Sequence, residues 1–162
     1  MALALDEQPH VNQYWRDGEL APHEGVDIGF AAQTSDGLLV PVVRNAQRLG
    51  LFDLARNREE LTQKARSGAL SLAEMEGGSA TLSNLGVFGI DSFQAILNPP
   101  QSVILATGRI AKRAVVVADQ VQAQPTVTLN LSADHRAVDG VAAANFLSRI
   151  RELIENPLPL LA

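Results

Sequence analysis

Residues 126–133 alternate strictly. Val127, Leu129 and Leu131 fall on one side of an extended chain, and Thr128, Asn130 and Ser132 on the other. A strand written this way buries one face and keeps the other polar, so its sheet carries an apolar layer on one side. The end of the chain supplies such a layer. From Val141 to Glu155, Phe146, Leu147, Ile150, Leu153 and Ile154 recur at helical spacing and predict an inward face, and Asn156-Pro157 ends the run. A chain built from these two pieces predicts an α/β two-layer sandwich. Its sheet is mixed and largely antiparallel, with helices on one face.

The remaining segments fit that plan. Residues 1–9 read as the tail of a helix stopped by Pro9, and the polar stretch after it turns at Arg16-Asp17-Gly18. Val26, Ile28 and Phe30 begin a strand, Asp36-Gly37 marks a tight turn, and residues 38–43 return as its partner. Pro41 places that partner at an edge or a bulge. Leu51, Leu54, Leu61 and Ala65 share a face of a helix that stops at Gly68. Ser71 with Glu74 starts a shorter helix. Residues 79–90 are a strand running into a glycine-punctuated loop, and Pro99-Pro100 precedes another apolar strand. Residues 114–118 and 126–133 read as two further strands joined by Asp119–Pro125.

Composition narrows the function classes. Net charge is −5 and the longest basic cluster is Ala-Lys-Arg-Ala, which argues against a phosphate-binding face and so against nucleic acid. No apolar run approaches the ~20 residues that span a bilayer, which argues against a membrane partner. Cysteine is absent, so thiolate metal sites, disulfides and cysteine nucleophiles are excluded, and a reducing cytoplasm is the expected location. Aromatics make up 4% of residues, so the core must be aliphatic.

His135 lies between a strand and a helix, with Asp134 before it and Asp139 four residues after. Three readings stand at this point: a base facing a cleft, a metal site, or a solvated structural loop. No second histidine stands at ligand spacing, and His10 and His23 fall in polar segments that read as solvated, so no metal is expected. Ser83 ends a strand at the glycine loop, where a hydroxyl caps turns as readily as it serves chemistry. Gly86 and Gly89 do not match a phosphate loop. Asp139 suits the N-terminus of the last helix as well as it suits a site.

Three segments together carry a resemblance. "SADHRAVDG" (132–140) resembles the His-x-x-x-Asp-Gly signature of the dihydrolipoyl acyltransferase core of 2-oxo-acid dehydrogenase complexes, a relative of chloramphenicol acetyltransferase. "SNLGVFGIDSFQAILNPPQSVILATG" (83–108) and "GLLVPVVRNAQRLGLFDLARNREEL" (37–61) are similar to that family's preceding segments. Asp134-His135, in place of paired histidines, points to the complex-associated branch. Ala133 departs from it, since many relatives carry an aromatic there.

The resemblance implies a chloramphenicol acetyltransferase-like fold and acyl transfer, acetyl favoured, between dihydrolipoamide and coenzyme A. It implies His135 as the thiol's general base, Ser83 as donor to the oxyanion and Asp139 as support for the loop, with an arginine as its partner. It further implies a trimer, assembled into a cubic or dodecahedral core, with His135 and Ser83 of one site coming from neighbouring chains. The lipoyl domain and the dehydrogenase components of the complex are the expected partners. Residues 1–162 resemble a single catalytic domain lacking its first third, without lipoyl or subunit-binding domains, so the lipoyl group would come from another domain or chain. Two other functions stand beside this one: a scaffold relative that assembles without turnover, and a free-standing acetyltransferase acting on a small alcohol or amine.

Overall fold

A computed structural model describes residues 1–35 and 37–161, so Asp36 of the predicted turn lies outside the described residues. The elements run α1 (Ala2–Glu7), β1 (Gln13–Arg16), β2 (Glu19–Pro22), β3 (Ile28–Phe30), β4 (Ala32–Thr34), β5 (Gly37–Leu39), β6 (Val42–Val43), α2 (Leu51–Ser67), β7 (Ala80–Asn84), β8 (Val103–Thr107), β9 (Ala111–Val117), β10 (Gln120–Thr126), β11 (Leu129–Ala133) and α3 (Gly140–Glu155). Five strands form the main sheet in the order β11-β8-β7-β3-β6. β8 runs parallel to β7 and β7 to β3, while the outer pairs β11/β8 and β3/β6 are antiparallel. The sheet is therefore mixed, as its sequence predicts.

The apolar face of the sheet packs under the helices. Phe146, Ile150 and Leu153 of α3 meet Ala80, Val103 and Leu105, with Leu129 and Leu131 packed alongside. Leu5 of α1 fills the same core, and Leu61 of α2 joins Val43 and Ala46 in a smaller cluster over Ile28 and Phe30. α2 ends where glycine permits it. Gly68 adopts φ +69, and Ala69 N–H donates to the Lys64 carbonyl at 2.9 Å. Two inward positions fail: Leu51 is 47% exposed at the start of α2, and Ile154 is 50% exposed near the end of α3. Both stand at helix ends, Leu51 as the first residue of α2 and Ile154 as the last but one of α3.

Three other segments differ from expectation. The predicted strand 26–34 breaks into β3 and β4, and only β3 joins the main sheet; β4 pairs with β5 in a separate ribbon. Pro41, between β5 and the edge strand β6, marks the break and turns its carbonyl to Phe30 N–H at 3.0 Å. Residues 119–125 are no connection. Most of them form β10, which pairs with β9 over seven residues around a turn at Ala118 and Asp119. The helix after Ser71 is a single 3-10 turn, Leu72–Glu74, although its capping box is present. No helix among the described residues is long and apolar enough to cross a membrane.

Phe146 tests the central packing. Its side chain is 0% exposed, so Phe146→Ala leaves a cavity between α3 and the sheet. We expect a loss of about 3–5 kcal/mol, read from the urea midpoint; a loss under about 1 kcal/mol would contradict this placement.

Candidate active site

Ser83 is the fourth residue of β7, and alternation turns its side chain away from the helices, on the face shared with Thr81. There it lines a groove of about 380 Å³ with Leu38, Val40, Phe93, Ile96 and Ile104. None of the side chains lining this groove is charged. The capping reading of Ser83 falls to its neighbour: Gly86 N–H donates to Asn84 Oδ1 at 2.8 Å. Among the described residues the Ser83 hydroxyl has no hydrogen-bond partner. The glycines here serve close packing. A Cβ on Gly86 would sit 2.6 Å from the Gly108 carbonyl oxygen, and one on Gly108 would sit 2.0 Å from that of Asp91.

The far wall of the groove is the extended segment 91–98, which has no strand partner. Asn130 Nδ2 donates to the Phe93 carbonyl at 2.7 Å and to Ser92 Oγ at 2.9 Å, and Ser132 Oγ donates to the Ala95 carbonyl at 2.8 Å. The polar face of β11 thus positions the groove wall.

His135 sits at the exposed tip of the turn between β11 and α3. The turn closes on itself, with the N–H groups of Ala137 and Val138 both donating to the Asp134 carbonyl at 2.9 Å. Arg136 lies against Asp134, with Nη2 to Oδ2 at 2.7 Å, and that guanidinium holds the Asp134 carboxyl below its ordinary range. Asp139 caps α3. Its Oδ1 accepts from Ala142 N–H and Val141 N–H at 2.8 Å each; these bonds pull its pKa down, and the nearby His135 and His10 imidazoles pull the same way. Asp139 makes no arginine pair among the described residues: its Oδ1 is taken by backbone, and Arg136 is paired with Asp134.

His135 and Ser83 lie at opposite ends of β8. Ser83 is level with Ala106, whereas His135 follows Ala133, which pairs with Val103. Strand spacing and rise put the two roughly 15 Å or more apart within one chain. A single chain does not bring them to one atom.

His23 is not solvated. Its ring centroid lies 4.7 Å from that of Tyr14, and its Nε2 is buried with no partner among the described residues. Burial pushes the imidazole below its ordinary range, against the pull of Asp27. It lines a separate polar cleft of about 630 Å³ with Arg16, Arg44 and Glu76. His10 is exposed. Among the described residues no group of three His, Asp or Glu is arranged to hold a metal ion.

Residues 1–162 match the family described as 2-oxoacid dehydrogenases acyltransferase (catalytic domain). The chain belongs to that family. It is 43% identical over 161 residues to the dihydrolipoyllysine-residue acetyltransferase component of the pyruvate dehydrogenase complex of Rickettsia felis, covering 99% of this chain and 39% of that protein. It is 41% identical to a succinyltransferase component of the 2-oxoglutarate dehydrogenase complex of Bos taurus, covering 99% and 36%. The chain thus spans about two-fifths of the length of these acyltransferase relatives. Among solved structures, the dihydrolipoamide acetyltransferase of Azotobacter vinelandii superposes with TM-score 0.93 at 38% identity, over 98% of this chain and 66% of that one. The cubic core of a pyruvate dehydrogenase complex gives 0.92 at 38% identity, over 98% and 66%. A chloramphenicol acetyltransferase at 14% identity and TM-score 0.51, over 99% and 73%, shares the fold.

The acyltransferase motif carries its aspartate at the helix cap, and the pH dependence of stability reads that position. A carboxyl whose pKa is depressed in the fold contributes stability above its unfolded pKa and loses it as pH falls through the folded value. Asp139→Ala should therefore lower Tm by a few degrees at neutral pH, and its gap to the wild type should close below about pH 4. Asp139→Asn keeps the acceptor and should retain most of the neutral-pH Tm. An Asp139→Ala gap that persists undiminished in acid would show that the cap is not the source.

Proposed function

We propose that the chain is the catalytic part of a dihydrolipoamide acyltransferase, moving an acyl group between dihydrolipoamide and coenzyme A. The observation that carries this reading is His135 at the exposed tip of a tightly tied turn, within the family's motif. A thiol titrates near ~8.5 and is mostly protonated at neutral pH, so a histidine, with an ordinary pKa near ~6.5, suits the task of base. His135 takes the proton from the coenzyme A thiol as its sulfur bonds to the acyl carbon. The Ser83 hydroxyl donates to the oxyanion that forms. The C–S bond to the lipoyl sulfur then breaks, and His135 returns its proton to that sulfur.

Two further observations support these roles. In the Azotobacter vinelandii enzyme a serine, a histidine and an asparagine have been investigated for roles in the catalytic mechanism, and Ser83, His135 and Asp139 stand at the same intervals along this chain. The unpartnered Ser83 hydroxyl also faces an uncharged, mainly aliphatic groove, where a hydrogen bond to developing charge is worth more than in water.

His135 and Ser83 of one chain lie too far apart to share an acyl carbon, so each site takes its histidine from one copy and its serine from another. A homotrimer built into a larger core satisfies this need, and a relative at 38% identity forms the cubic core of a pyruvate dehydrogenase complex. The lipoyl arm comes from a lipoyl domain. Acetyl is the preferred acyl group: a succinyl carboxylate entering the Ser83 groove would be desolvated with no cationic partner from this chain.

The test is acyl transfer from acetyl-CoA to free dihydrolipoamide. His135→Ala should lower kcat about 10²–10⁴-fold and Ser83→Ala about 10²–10³-fold. Succinyl-CoA should react at least about tenfold less efficiently than acetyl-CoA. Turnover that survives His135→Ala would overturn the mechanism. A folded oligomer without turnover would favour a scaffold.

A further inference from the structure

A general base on an exposed turn works only if the turn is held still, and the bonds that hold this one are few. Ala137 and Val138, just past the histidine, are 8% and 2% exposed, and a backbone carbonyl in such a buried stretch calls for a donor. Three donors of the turn are already committed. Ala137 and Val138 N–H go to the Asp134 carbonyl, and Arg136 N–H goes to Asp134 Oδ1 at 3.0 Å.

The missing donor comes from a strand 124 residues away: Gln13 Nε2, at the start of β1, lies 2.8 Å from the Ala137 carbonyl. Gln13 is itself anchored, its carbonyl accepting from the Ser102 hydroxyl. The Ser102 carbonyl in turn accepts from Asp134 N–H at 2.8 Å. The bonds close a circuit that grips the turn at Asp134 and at Ala137, on either side of His135. Trp15, two residues on and on the same face of β1, lies beneath Arg136, whose guanidinium carbon is 5.9 Å from the ring centroid.

We infer that Gln13 is a positioning residue for His135, its side-chain amide fixing where the base stands. The inference rests on the proposed role of His135. A displacement of ~1 Å in a catalytic group can cost about 10²-fold in rate, so the tie acts on the chemical step and leaves coenzyme A binding alone.

The experiment compares Gln13→Ala and the near-isosteric Gln13→Glu with wild type in acetyl transfer, alongside amide hydrogen exchange. Both variants should lose roughly 10- to 100-fold in kcat, with KM for acetyl-CoA within about twofold. Protonation gives the carboxyl introduced by Gln13→Glu a donor again. Its rate relative to wild type should therefore rise as pH falls toward about 4.3, while that of Gln13→Ala stays level. Exchange at 135–138 should quicken in both variants while that at 146–153 is unchanged. Unchanged kcat in Gln13→Ala, a loss confined to KM, or exchange quickened equally along α3 would overturn the inference. If the wild type has no turnover, or His135→Ala keeps it, the base assignment fails; the exchange pattern still decides whether Gln13 holds the turn.

Discussion

Residues 91–98 cross the sheet as an extended segment without a strand partner, and their backbone carbonyls need donors. The donors come from the polar face of β11, where Asn130 and Ser132 reach Phe93 and Ala95. The opposite face of the same strand packs Leu129 and Leu131 against the core beneath α3. One alternating strand therefore does two jobs: it seats the helix that follows the histidine turn, and it fixes the wall of the groove that contains Ser83. A register slip of one residue would exchange the faces and undo both.

The turn between β11 and α3 is governed by a division of labour between its carboxylates. Asp134 is bound to Arg136 and, through its backbone, to the turn itself; Asp139 is bound to the first N–H groups of α3. Each has its charge accounted for locally, and His135 between them is left at the surface. The helix N-terminus favours the Asp139 anion, and the His135 and His10 imidazoles pull its pKa the same way.

Much of this was legible in the sequence. The alternation of 129–133, the helical period of 141–155 and the stop at Gly68 reappear, because each is a local pattern read by the element that carries it, whereas Thr126 of the predicted strand 126–133 falls to β10 and Val127 and Thr128 lie outside any strand. Contacts remote in the chain were not legible. β10 looked like a linker, since glutamines and Pro125 weaken its strand signal, yet pairing along its full length with β9 holds it extended. His23 lay in a polar segment, and only its packing against Tyr14 buries it. Ser83 reads as a possible cap of the glycine loop, but strand alternation turns its hydroxyl into the groove and the Asn84 side chain takes the cap. Gln13 gave no signal at all, because the carbonyl it satisfies belongs to the far end of the chain.

The geometry bears most heavily on assembly. If the acyl carbon must meet a base and an oxyanion donor together, the length of β8 forbids one chain from supplying both. Ile96, which lines the groove, is 91% exposed, and Val116 and Val121, paired across the β9–β10 ribbon, are 71% and 75% exposed. Apolar side chains in such positions cost free energy in water, and an adjacent protomer that brought a histidine to the serine would cover part of that surface as it did so. On this reading catalysis and oligomerisation are one requirement: the sheet separates the two reactive groups, and symmetry reunites them.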